Sequence, residues 1–166
     1  MQKVEAIRAR VVIAAIVLFG LGCPITSAAA EVQASVVNNL VFGNVYPGIP
    51  KVVSKRTADS AAEFLVTGDV GAEVSIDFTL PTYMNAGGYN MPLIFKETYC
   101  AMDSSATPDQ SNPDYDDLDP WHTITYRLGS TGQISIWLGG KVVPKLVQPA
   151  GSYTADIVLT VDYTGL

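Results

Sequence analysis

Cysteine, histidine and basic residues are all scarce in this 166-residue chain, and each scarcity closes off a chemistry. Cysteine occurs twice, at Cys23 and Cys100, too few for a zinc-thiolate set or a disulfide framework. Histidine occurs once, at His122, which excludes a multi-histidine metal centre. His122 would also have to serve any Ser-His-Asp arrangement, yet no serine sits in a G-x-S-x-G elbow. The chain is therefore expected not to be an enzyme. Lysine and arginine number 10 against 16 aspartates and glutamates, a formal net charge of −6, and the basic residues form no stripe. Such a balance repels phosphate backbones, so nucleic acid is not an expected partner. A sustained helical period is missing too. The nearest candidate, RTADSAAEFLV from Arg56, runs into Phe64, Leu65 and Val66 and stops at Thr67-Gly68.

The start of the chain has the order of a secretory signal peptide. Lys3, Arg8 and Arg10 precede an apolar run from Val11 to Leu21, and small residues follow at Ala28 and Ala30, where cleavage is expected. The run is shorter than the roughly 20 residues that span a bilayer. Gly20 stands where a lipobox usually carries an aliphatic residue, which argues against lipidation at Cys23. Removing residues 1–30 leaves a more acidic domain over 31–166, long enough for a real core. Cys100 is then its one thiol, read as a small buried apolar residue. No apolar tail follows Tyr163, so the expectation is a secreted or cell-surface protein without a membrane anchor after signal cleavage.

Alternation dominates the remainder. Strands are predicted at about 32–37, 40–45, 50–54, 61–67, 72–80, 90–99, 122–128, 133–138, 141–147 and 152–164, separated by turn-rich stretches such as YPGIP, TGDVG, NAGGYN and QPAG. This pattern predicts an all-β antiparallel sandwich or barrel. In GQISIWLGGKVVPKL, Gly139-Gly140 offers a two-residue hairpin turn between 133–138 and 141–147, with Pro144 placing the return strand near a rim. The closing stretch alternates Tyr153, Ala155, Ile157, Leu159, Val161 and Tyr163 against Thr154, Asp156, Thr160, Asp162 and Thr164, with Val158 the single exception on the polar face. Residues 103–120 break the pattern with six aspartates and three prolines, and are expected to be a long acidic surface loop.

That loop holds the candidate ion ligands. Asp114, Asp116, Asp117 and Asp119, with Asn112, could offer Ca²⁺ the hard oxygens it prefers, although the glycine and closing glutamate of an EF-hand are missing. No other cofactor is expected. Tyr83, Tyr89, Tyr115, Trp121 and Trp137 could instead form a carbohydrate platform.

LVFGNVYPG, FLVTGDVGAEVSIDFTLPTYMNAGGYNMPLIF and WLGGKVVPKLVQPAGSYTADIVLTVDY, in that order, resemble a family of exported bacterial pilin-like domains of unknown function. That family is similar to spore coat protein U and to chaperone–usher pilins. Its most telling element is the Gly151, Tyr153 and Tyr163 pattern around the alternating strand, while the acidic loop departs from it as an insertion. The resemblance implies an immunoglobulin-like, pilin-like β-sandwich short of its final strand, completed by β-strand addition from a neighbour. Tyr153, Ile157, Leu159, Val161 and Tyr163 would mark the acceptor-edge strand. Val32, Ala34 and Val36, alternating with Gln33 and Ser35, would mark the donor strand, or else pair within their own sandwich. The implied partners are other copies, related subunits and a periplasmic assembly chaperone. The expected function is a structural subunit of a surface fibre, with a Ca²⁺- or carbohydrate-binding extracellular module as the alternative.

Overall fold

Residues 2–4, 8–13 and 31–165 are described by the computed structural model. Fifteen strands follow one another without a helix among these residues: β1 (Gln2–Val4), β2 (Arg8–Ile13), β3 (Gln33–Asn38), β4 (Gly43–Val45), β5 (Lys51–Val53), β6 (Ala62–Thr67), β7 (Glu73–Thr79), β8 (Tyr83–Ala86), β9 (Tyr89–Ile94), β10 (Cys100–Asp103), β11 (Tyr115–Leu118), β12 (Ile124–Arg127), β13 (Gln133–Leu138), β14 (Gly140–Val142) and β15 (Asp156–Tyr163). The expected leader over 1–30, with Cys23 in it, lies outside the described residues except for the backbone of β1 and β2.

The fold is all-β, as the alternation requires. One sheet has the order β11-β10-β13-β6-β3, a second β12-β7-β15-β2 and a third β5-β14-β9-β8, while β4 pairs with β1. Every strand pairing is antiparallel except that of β15 with β2, which is parallel. In β6, Ala62, Phe64 and Val66 turn inward, and in β7 Val74 and Ile76 do the same. These two sets meet between the sheets, where the Phe64 and Phe78 rings pack edge-on at 5.7 Å. Ile134, Ile136 and Leu138 of β13 and Ile157, Leu159 and Val161 of β15 complete one shared core. Each such side chain contributes about 1.5–3 kcal/mol on leaving water.

Gly139-Gly140 is not the expected hairpin. β13 pairs with β6 and β10, whereas β14 pairs with β5 and β9, so the chain changes sheets between them. These glycines serve close approach. A Cβ on Gly139 would lie 2.6 Å from the Val53 carbonyl oxygen and 2.7 Å from the Lys55 nitrogen. The tight two-residue turn sits instead at Gly87-Gly88, φ 53° and 85°, joining β8 to β9.

The acidic stretch also differs from expectation. It is not wholly loop, because Tyr115–Leu118 forms β11 at the edge of the first sheet, antiparallel to β10. Leu118 packs against the core and Asp103 is buried at the end of β10. The expected strand over 90–99 stops at Ile94, and a turn closed by the Tyr99 N–H on the Lys96 carbonyl precedes β10.

Candidate functional site

The closing strand is built from its approach upward. Tyr153 is fully buried, and its hydroxyl donates to the Pro149 carbonyl at 2.8 Å while accepting from Gln148 Nε2 at 2.7 Å. At the far end the Tyr163 hydroxyl accepts from the Asp69 N–H at 2.8 Å, and it would lie 2.5 Å from a Cβ on Gly68. These two tyrosines fix both ends of the run. Between them Ile157, Leu159 and Val161 are fully buried, so period-two alternation makes one face of β15 core.

The backbone edges of β15 are unequal. On one side it runs against β7 from Val158↔Thr79 to Tyr163↔Val74. On the other, among the described residues, it meets only β2, in register from Asp156↔Arg8 to Val161↔Ile13. β4 likewise pairs only with β1, through Val45↔Gln2 and Gly43↔Val4. Both partner strands lie in residues 1–30, the stretch that carries the leader pattern. Counting residues 31–165 alone, β15 is therefore the edge of its sheet and β4 has no strand partner.

The chain matches no protein-family model and no curated protein.

The residues expected to be donated are engaged at home. Ala34 and Val36 of β3 pair antiparallel with Val66 and Phe64 of β6, and Val32 just before them is buried in the core. The structure thus takes the self-pairing alternative for Val32, Ala34 and Val36. Alternation could not separate the two, because an inserted strand and a first strand present the same apolar face.

The four candidate ion ligands are not brought together. Lys55, only 7% exposed, stands under the acidic stretch and donates to the Thr98 carbonyl at 2.8 Å and to Asp117 Oδ1 at 2.6 Å. It also pairs with Asp116, which Arg56 clasps from its other oxygen. Burial works against ionisation of Asp116, yet the hydrogen bonds from Lys55 and Arg56 hold its pKa down at about 2. Asp114 accepts from the Ser104 N–H and hydroxyl. Asp119 accepts from the Trp121 N–H and pairs with His122 Nδ1 at 2.7 Å, and these contacts lower its pKa. Among the described residues no group of three or more His, Cys, Asp or Glu is placed to hold a metal ion. Lys55 could not be read as a hub from its surroundings in the chain, since nothing local marks a lysine whose aspartate partners lie about sixty residues on.

The aromatic candidates are scattered. Trp137 is buried with its Nε1 unpartnered among the described residues, Tyr115 packs on Tyr126, and Trp121 packs on Phe95 and donates to its carbonyl. Tyr83 and Tyr89 stand on the separate β8–β9 hairpin. Cys100 is buried, which pushes its thiol up to about 12 against the opposing charge of Lys55, and such a thiol is not a nucleophile.

Proposed function

We propose that the chain is a secreted, non-enzymatic structural subunit with an immunoglobulin-like, pilin-like sandwich, joined to its neighbours by strand addition along β15. The observation that carries this reading is the outer edge of β15, whose one strand partner lies in the leader-like residues. Loss of residues 1–30 would leave a row of backbone donors and acceptors open beside a finished core face, an arrangement that pairs with any suitable strand. The incoming strand comes from another copy, a related subunit or a periplasmic assembly chaperone. Because β3 is held by β6, donation of residues 31–39 would require that pairing to be given up. Localisation outside the cell, on the surface, follows from the leader and from this mode of assembly.

Hydrogen exchange on the processed chain tests the proposal. Amides of β15 should exchange at least tenfold faster than those of β6, and a synthetic peptide of residues 2–13 should slow them and shift assemblies toward monomer. A processed monomer with β15 as protected as β6 and indifferent to peptide would overturn it. The Ca²⁺-binding alternative is the weaker reading, because Asp116 and Asp117 already face Lys55.

A further inference from the structure

Four aliphatic and aromatic side chains stand in solvent on loops that flank the third sheet. Two loops carry them, residues 46–50 and 144–149. Leu146 is 84% and Val147 87% exposed, with Ile49 at 62% and Tyr46 at 55%. The loops are joined, since Gly48 N–H donates to the Lys145 carbonyl at 3.0 Å and a Cβ on Gly48 would meet Leu146 Cδ2 at 2.6 Å. They are also braced from below. The buried Gln148 side chain accepts from the Lys145 N–H at 3.2 Å and donates to the Asn90 carbonyl at 3.3 Å and to the Tyr153 hydroxyl. A loop held this firmly has no need to leave two adjacent aliphatics in water, so their exposure calls for an occupant.

The charge around this tip selects the occupant. No aspartate or glutamate occurs between Glu31 and Asp59, between Asp119 and Asp156, or in the β8–β9 hairpin, whereas Lys51, Lys141 and Lys145 all belong to these loops or to the third sheet. In a chain with an acidic excess, the charged residues of the two loops and of the sheet that carries them are therefore all lysines. Two copies meeting tip to tip would bring lysine against lysine. An anionic bilayer surface satisfies both features, since aliphatics enter the acyl boundary, tyrosine suits the interface and lysine stems reach back to the headgroups. We propose that the Leu146–Val147 tip inserts peripherally into anionic lipid, an activity independent of strand addition at β15.

The test uses the exported, processed protein and vesicles of phosphatidylglycerol with phosphatidylcholine, against phosphatidylcholine alone. Expected is sedimentation with the anionic vesicles, weakened at least tenfold by Leu146→Asp with Val147→Asp, severalfold by Lys51→Gln with Lys145→Gln, and by added salt. A polarity-sensitive dye on Val147→Cys should shift to the blue on binding, with Cys100 too buried to compete for label. These side chains are exposed, so an unchanged thermal melt confirms that the variants fold. Binding that is absent, or unaffected by the aspartates, or without a dye shift overturns the proposal. So does lipid-free self-association abolished by the same aspartates, which would assign the tip to a second copy.

Discussion

β15 and the aspartate-rich stretch from Asp103 to Pro120 both bring polar groups that must find partners, and they find them by opposite means. In the acidic stretch the partners are side chains. Lys55 and Arg56 reach Asp116 and Asp117, and Asp103 accepts from the Ser105 and Asp109 amides at 2.8 and 2.9 Å. Side chains are long and rotatable, so a few well-placed cations and turns satisfy a crowd of carboxylates within one chain. In β15 the groups on the outer edge are backbone, fixed in a row, and only another strand can answer them, as β2 does. The lesson is that a conspicuous charge cluster can be self-contained while an ordinary-looking strand is the part that needs company.

Substitutions can break that contrast, and the most damaging should be on the inner face of β15. Leu159→Ala removes a fully buried side chain beside Ile157 and Val161 and should cost about 3 kcal/mol in denaturant unfolding. A loss below roughly 1 kcal/mol would mean that β15 is not part of the core and that its edge carries no special meaning. Next comes Lys55→Ala, which strands the Thr98 carbonyl, leaves Asp117 without its cation and leaves Asp116 to Arg56 alone. The expected cost is about 2 kcal/mol, less than for a fully buried pair because both aspartates keep access to water. If added Ca²⁺ instead raised the melting temperature of wild type more than that of Asp116→Asn, the stretch would be open for a ligand after all.

The smallest effect should be the pH dependence of the same hub. Asp116 titrates at about 2 in the folded chain against 3.8 for a free aspartate. A depressed carboxyl stabilises the fold fully above its unfolded pKa, and that contribution is lost as pH falls from about 4 through about 2. Because the side chain is a third exposed, the loss is on the order of 1 kcal/mol. Acid unfolding of Asp116→Asn should lack this portion of the slope, and an unchanged slope would place the ion pairs among the inert surface contacts.

Much of the framework was legible in the residues. The predicted strands over 61–67, 72–80 and 133–138 stand close to β6, β7 and β13, because each is a short apolar-rich run bounded by turn residues, with strict alternation in β7. β8, β10 and β11 were not legible. β8 hides in a turn-like run before Gly87, and β10 is buried along its whole length, Cys100 to Asp103, so it shows no alternation. β11 reads as YDDL, three of its four residues exposed, and becomes a strand only because β10 offers a free edge beside it. The two glycine pairs make the same point. Gly87-Gly88 and Gly139-Gly140 are identical as dipeptides, yet one turns a hairpin at positive φ while the other lets the chain slip past Val53 and Lys55 into another sheet.

The sequence by itself determined that this chain is built of strands and which side chains of the closing strand face the core, because alternation with a period of two is a local property of neighbouring residues. Only the tertiary structure decided that residues 33–38 pair with β6, that Lys55 meets Asp116 and Asp117, and that, among the described residues, the outer edge of β15 is met by residues 8–13. Those outcomes depend on which distant segments come side by side, and backbone hydrogen bonds carry no residue label by which a sequence could announce the pairing in advance.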